Sequence, residues 1–221
     1  VVGGAFAKRW AQIAESLGKE VVVLEVEWGR VVTSDALLQA LEEQGPFDAV
    51  TLVSNETSTG ARTPLDRIAD VMANFPSTNL LVDLVSYIAG APVDFDKNRL
   101  DFGLAGIQKA LALPPGVSVC CASERFMESA RAQENRGFYL DPISFIEGHA
   151  ARKTPSTPAI GLYYALAKQL EDITGGVTLA PADQGATGAA AWQARFAKHT
   201  RMQSRTIAWA SGHGLELLPP L

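Results

Sequence analysis

Five kinds of side chain in this sequence could do chemistry together. They are the primary amine of Lys109, the carboxylate of Asp83, the amide of Gln108, the hydroxyls of Ser54-Asn55-Glu56-Thr57-Ser58-Thr59-Gly60 and the ring of Phe6. Each follows an apolar run that reads as a strand or the stub of one. Phe6 comes after Val1-Val2 and Gly3-Gly4, the hydroxyl cluster after 48–53, and Gln108-Lys109 after 102–106, while Asp83 closes 79–83. In open α/β sheets ligands sit beyond the carboxyl ends of the strands, so these residues fall where a site belongs. Singly, each has an ordinary structural explanation as a solvated lysine, a turn acid, a polar turn or a core aromatic. Together they supply one candidate for every need of a pyridoxal-type aldehyde cofactor. Such a group needs an amine for a Schiff base, an acid beside its pyridine nitrogen, apolar or aromatic cover on its ring faces, and donors for its O3′ and phosphate.

The elements that must position these residues alternate. The period of 6–17 predicts a helix stopped by Gly18, the β-branched run 20–26 predicts a strand, and 35–43 predicts a helix capped by Ser34. Strands are predicted at 48–53, 79–83, 102–106 and 117–122, with a helix at 64–74 opening on Pro64. Alternation of this kind implies βαβ units and a mainly parallel sheet covered on both faces. The last third reads as helices at 123–134, 142–150, 158–173 and about 189–211, with a small-residue loop at 175–188.

Composition narrows the function class. The chain has 221 residues, 47% apolar and 19% charged, which is enough for a sizeable core and excludes a disordered chain. No apolar run approaches a membrane span, and no signal peptide is visible. A net charge of −5 without a basic stripe argues against nucleic acid. The adjacent Cys120 and Cys121 read as buried thiols in a strand, which fits a reducing cytoplasmic compartment, and the three scattered histidines give no metal-ligand spacing. A generic nucleotide-binding domain would need a G-x-G-x-x-G or P-loop after a strand, and neither occurs.

The segments VSNETSTG, LLVDLVSYIAGAPVDFD and GLAGIQKALALPPGVSVCCASER resemble the class V aminotransferases, closest to the alanine–glyoxylate, serine–glyoxylate and serine–pyruvate branch. The resemblance runs from Val1 to about Ile173, and the 26-residue step from Asp83 to Lys109, with Gln108 before the lysine, is its most specific part. It implies the large domain of pyridoxal-phosphate fold type I: α/β, three layers, a mostly parallel sheet with helices on both faces, and a helical C-terminal part. Residues 1–188 would be the cofactor-binding large domain, and 189–221 a long linking helix with the start of a small domain. The implied activity is transamination between alanine or serine and a 2-oxo acid such as glyoxylate or pyruvate.

By the same resemblance Lys109 is the Schiff-base lysine and proton carrier, and Asp83 pairs with the pyridinium nitrogen. Val85 and Phe6 cover the two ring faces, Thr57 faces O3′, and Gln108 reaches the phosphate. Thr157 is a phosphate ligand to the neighbouring subunit's cofactor, so a homodimer is implied. Many relatives carry His where this chain has Ser54, a change expected to bear on the substrate side. The resemblance places the glycine-rich phosphate turn before residue 1 and the arginine that clamps the substrate carboxylate after Leu221. Two alternatives follow from it. A cysteine desulfurase-like enzyme would carry His before the lysine and a reactive loop cysteine, whereas Gln108 stands there. A non-catalytic large-domain fragment would keep the fold without binding cofactor tightly.

Overall fold

A computed structural model describes residues 1–219. Among these, six strands are formed: β1 (Ala49–Val53), β2 (Asn55–Glu56), β3 (Ala61–Arg62), β4 (Asn79–Asp83), β5 (Phe102–Gly106) and β6 (Ser118–Ala122). Seven α-helices accompany them: α1 (Ala5–Ser16), α2 (Ser34–Gln44), α3 (Leu65–Met72), α4 (Glu124–Arg131), α5 (Pro142–Ala150), α6 (Ile160–Thr174) and α7 (Gly188–Gly212). The main sheet runs β1-β4-β5-β6, with β1, β4 and β5 parallel and β6 antiparallel at the edge. β2 and β3 form a small hairpin within the loop that follows β1.

Two further extended stretches continue the sheet beyond β1. The Val1 amino group donates to Thr51 O, and Val2 bridges Glu25 in parallel. Across the sheet the order is therefore the Glu25 stretch, Val1–Val2, β1, β4, β5, β6. The path runs outward from Val2 to Glu25 and then back across to β1, so its direction reverses between Val2 and β1. Right-handed crossovers put the connections made before and after such a reversal on opposite faces. α1 thus lies on one face and α2 and α3 on the other, giving three layers.

Alternation along the strands decides which side chains form the core. Val50 and Leu52 of β1 and Leu80 and Val82 of β4 point one way and pack with Leu37 and Leu41 of α2 and Leu65, Ile68 and Met72 of α3. Burying each such side chain contributes about 1.5–3 kcal/mol. A second cluster joins Ala89, Ile107, Leu111 and Ile173, with Leu162, Leu166 and Trp192 against it. It ties the turns beyond β4 and β5 to α6 and α7.

Several expectations are corrected. The run 20–26 is extended but not a strand: two backbone bonds, Val2 N–H to Leu24 O and Val26 N–H to Val2 O, are its ladder, and Val22 and Val23 are exposed. β-branching favoured a strand there, but among the described residues the stretch bridges only Val2. Helix α2 is capped by Thr33, whose Oγ1 accepts from Ala36 N–H, and Ser34 is its first residue. Pro64 is the N-cap of α3 rather than its first residue, and α3 stops at Met72. Cys120 and Cys121 are exposed, because β6 is an edge strand with little packed over either face. The loop 175–188 contains a 3-10 turn at Pro181–Asp183. In the expected 189–221 segment, α7 ends at Gly212, and Pro220 and Leu221 lie outside the described residues.

Candidate active site

The reversal of strand order between Val2 and β1 is a topological switch point, the place where the loops beyond neighbouring strands diverge and leave a crevice. α1 begins on one side of it and the Ser54–Gly60 segment leaves β1 on the other. The start of α1 is fixed by Glu56, whose Oε2 accepts from Ala7 N–H at 3.0 Å while Oε1 accepts from Ser58 N–H at 3.0 Å and Ser58 Oγ at 2.7 Å. Ser58 Oγ in turn accepts from Ala5 N–H. A carboxylate against the unpaired amides of a helix N-terminus is favourable on both hydrogen-bonding and dipole grounds. Gly4 is required here, since a Cβ would meet the Glu56 side chain and lie 2.6 Å from Ser58 Oγ. Burial would raise the Glu56 pKa. The bonds from Ser58 Oγ, Ala7 N–H, Ser58 N–H and Phe6 N–H outweigh it and hold the carboxyl below its ordinary value.

Phe6 is therefore held at the first turn of α1, half-buried, with the Arg9 guanidinium 5.6 Å from its ring centroid. One turn further on, Trp10 Nε1 donates to Asp83 Oδ2 at 3.2 Å. Asp83 Oδ1 accepts from Val85 N–H at 2.8 Å, the turn that an Asp at a strand end forms with the amide two residues on. Ser54 is fully buried, and both its N–H (3.0 Å) and its Oγ (2.7 Å) donate to Asp83 O. Ser54 accordingly pins the end of β4 to that of β1.

Thr57 Oγ1 and Ser86 Oγ lie 2.6 Å apart, joining the loop after β1 to the turn after β4. β5 pairs with β4 so that Leu104 stands beside Asp83, and Gly106 ends the strand two residues later. Gly106 leaves room for Gln108 to fold back, since a Cβ there would lie 2.8 Å from Nε2 of its amide. Lys109 follows at the tip of a tight turn closed by Ala112 N–H to Lys109 O (2.8 Å) and Leu113 N–H to Ile107 O (3.1 Å). Ile107 and Leu111 anchor that turn in the second core cluster, so Gln108 and Lys109 are left outward and exposed.

Phe6, Thr57, Asp83, Val85, Gln108 and Lys109 thus occupy the carboxyl edge of adjoining strands and the helix start beside them. Thr157 does not join them. It is exposed in the segment ahead of α6 and makes no side-chain hydrogen bond among the described residues. A concavity at the amino ends of the strands is lined by Thr78, Asp96, Arg99, Asp101, Ser123 and Arg125 among others. Asp101 there accepts from Leu80 N–H, Ser123 Oγ and Arg125, a clamp that ties the start of β4 to the end of β6. No grouping of three His, Cys, Asp or Glu residues suited to a metal occurs among the described residues. Nor is any described helix long and apolar enough to cross a membrane. The Cys120 thiol is raised in pKa by desolvation at its sulfur and by its neighbour Cys121, the opposite of an activated thiolate.

Four positions of consequence were not singled out from the sequence: Trp10, Ser86, Glu56 and Arg195. Trp10 could have been found, because positions i and i+4 share a helix face and Phe6 sits one turn earlier. Arg195 carried no signal. It is buried in α7 yet donates from Nε to Ala89 O at 2.9 Å and from Nη2 to Ala110 O at 2.5 Å, gripping the turns after Asp83 and after Lys109.

The model of the family described as aminotransferase class-V matches residues 4–191. An uncharacterized aminotransferase of Methanocaldococcus jannaschii is 33% identical over 219 residues, covering 98% of this chain and 53% of the relative. A serine–glyoxylate aminotransferase of Methylorubrum extorquens is 32% identical over 176 residues, covering 76% of this chain and 44% of the relative. Among solved structures, an alanine–glyoxylate aminotransferase from Nostoc sp. superposes with a TM-score of 0.75 at 33% identity, over 87% of this chain and 48% of that one. The chain spans about half the length of the curated relatives it matches.

Proposed function

This chain belongs to the class V aminotransferase family, and we propose that it forms the cofactor-binding part of a pyridoxal-phosphate-dependent transaminase acting on a small amino acid, alanine or serine, and a 2-oxo acid such as glyoxylate or pyruvate. The observation that carries the reading is the placement of Asp83 and Lys109 at the ends of neighbouring parallel strands, with the Asp83 carboxylate fixed by two donors. Relatives named as serine–glyoxylate and alanine–glyoxylate aminotransferases support the substrate class.

The donor set fits a pyridoxal group. A carboxylate held by two donors at a strand end suits a protonated ring nitrogen, an exposed lysine suits an aldehyde, and the paired hydroxyls of Thr57 and Ser86 suit a phenolic oxygen. When bound, the cofactor supplies an aldehyde that takes up amino groups and a ring that accepts the electron pair left at the substrate Cα. The chain's own residues do the rest. Lys109 Nζ would hold the cofactor at rest and, once freed from it by the substrate amine, would serve as general base and acid for the Cα proton. Asp83 would pair with the protonated ring nitrogen, and Val85 and Phe6 would confine the ring and exclude water. Gln108 would donate to the phosphate. Thr157 reaches the phosphate of a partner subunit, which makes the working unit a homodimer, and residues 1–188 are the large domain from which α7 leads onward. A cytoplasmic setting suits such chemistry.

The test is spectroscopic. The complete protein that carries this chain, given pyridoxal phosphate, should show a visible absorption band that borohydride removes and alanine or serine shifts. Absence of any such band at saturating cofactor would overturn the reading.

A further inference from the structure

α1 reaches the candidate site twice, through Phe6 and, one turn later, through Trp10, since residues four apart share a helix face. Trp10 Nε1 donates to Asp83 Oδ2 at 3.2 Å, and Val85 N–H donates to Oδ1 at 2.8 Å. The two oxygens of one carboxylate are thus held by donors from different elements, a helix on one side and the turn after β4 on the other. A carboxylate has about four lone-pair sites, so two remain for a partner in its plane. Because an indole N–H can only donate, its bond fixes the plane of the carboxylate relative to α1, the helix that presents Phe6.

We propose that Trp10 is the positioning residue of Asp83: its indole N–H sets the plane of the carboxylate, coupling the ring-nitrogen partner to the helix that carries the ring-stacking aromatic. The inference rests on the reading that Asp83 faces the cofactor's ring nitrogen and deepens it. Glu56 completes the device from the other end, because it fixes the first turn of α1 through Ala7 N–H.

The experiment compares Trp10→Phe and Asp83→Asn in the complete protein. Phe keeps an aromatic body and loses the donor. Trp10→Phe should lower kcat about tenfold, the effect of one hydrogen bond to a charged group, with KM for the amino acid changed less than twofold. Cofactor affinity, read by absorbance titration without substrate, should fall in the same variant. Adding Trp10→Phe to Asp83→Asn should cost little more, since both remove the same interaction. If Trp10→Phe matches wild type in all of these while Asp83→Asn is impaired, the inference fails and the reading of Asp83 stands. If Asp83→Asn also matches wild type, that reading fails with it. Should Trp10→Phe not fold, replacement of Trp10 by benzothienylalanine, which exchanges the N–H for sulfur at nearly constant shape, gives the same readouts. Wild-type cofactor affinity and kcat there overturn the proposal.

Discussion

Replacing Arg195 by methionine tests how the turns bearing Asp83 and Lys109 are held. Arg195 is 6% exposed and pairs with no carboxylate among the described residues, and its guanidinium spends two donors on backbone oxygens. Burial lowers its pKa, yet a guanidinium stays charged at neutral pH. Each hydrogen bond from a charged donor contributes about 1.5–3 kcal/mol, and the longer contact to Thr178 Oγ1, at 3.4 Å, adds little. Ala89 O is the costly one to strand, since Ala89 is 3% exposed and water cannot replace the donor. Ala89 also sits at φ 63, a left-handed conformation that costs a residue with a Cβ roughly 1–2 kcal/mol. Ala110 O is half-buried and can find solvent. Relief of the guanidinium's own desolvation offsets part of the loss. Arg195→Met in the complete protein should therefore lose about 3 kcal/mol by urea unfolding, a large fraction of the roughly 5–15 kcal/mol that holds a domain together. Amide exchange should quicken in the turns 85–90 and 107–113 ahead of β1 and β4. Arg195→Lys keeps the charge but cannot fork to both oxygens, so it should lie between. A methionine variant within about 0.5 kcal/mol of wild type, with those amides still protected, would refute the reasoning.

Three further outcomes are expected. Lys109→Ala should abolish the borohydride-sensitive band and transamination together, beyond the roughly 10²–10⁴-fold effect of one acid–base group, and substantial turnover by stopped assay would show that the lysine is misassigned. Asp83→Asn should retain the band yet slow Cα-proton exchange of the amino acid, measured in deuterated water, because the ring nitrogen loses its counter-charge. An unchanged exchange rate removes that role. Glu56 is held below its ordinary value of about 4.5, so its contribution to stability is complete above that pH and is lost as pH falls through its lower folded value. Glu56→Gln should flatten the stability–pH curve below about 4.5, and a curve parallel to wild type would contradict the network drawn around α1.

The sequence determined the strands β4 and β5 to the residue and helix α5 likewise, because each is bounded by strong turn chemistry: Asp83, Gly106 and the Asp141 cap. Element order also placed Phe6, Thr57, Gln108 and Lys109 after strand ends and Asp83 at the end of β4. Periodicity misled where burial depends on a neighbour. The β-branched run 20–26 keeps one bridge, and the apolar Cys120-Cys121 pair lies exposed on an edge. Only the tertiary structure decided what holds the site. Trp10 on Asp83 spans 73 residues, Ala7 on Glu56 spans 49, and Arg195 reaches 106 residues back to Ala89. Local propensity and spacing register interactions within a few residues. A hydrogen bond closed across such loops depends on how the layers pack, and that is set by the core as a whole.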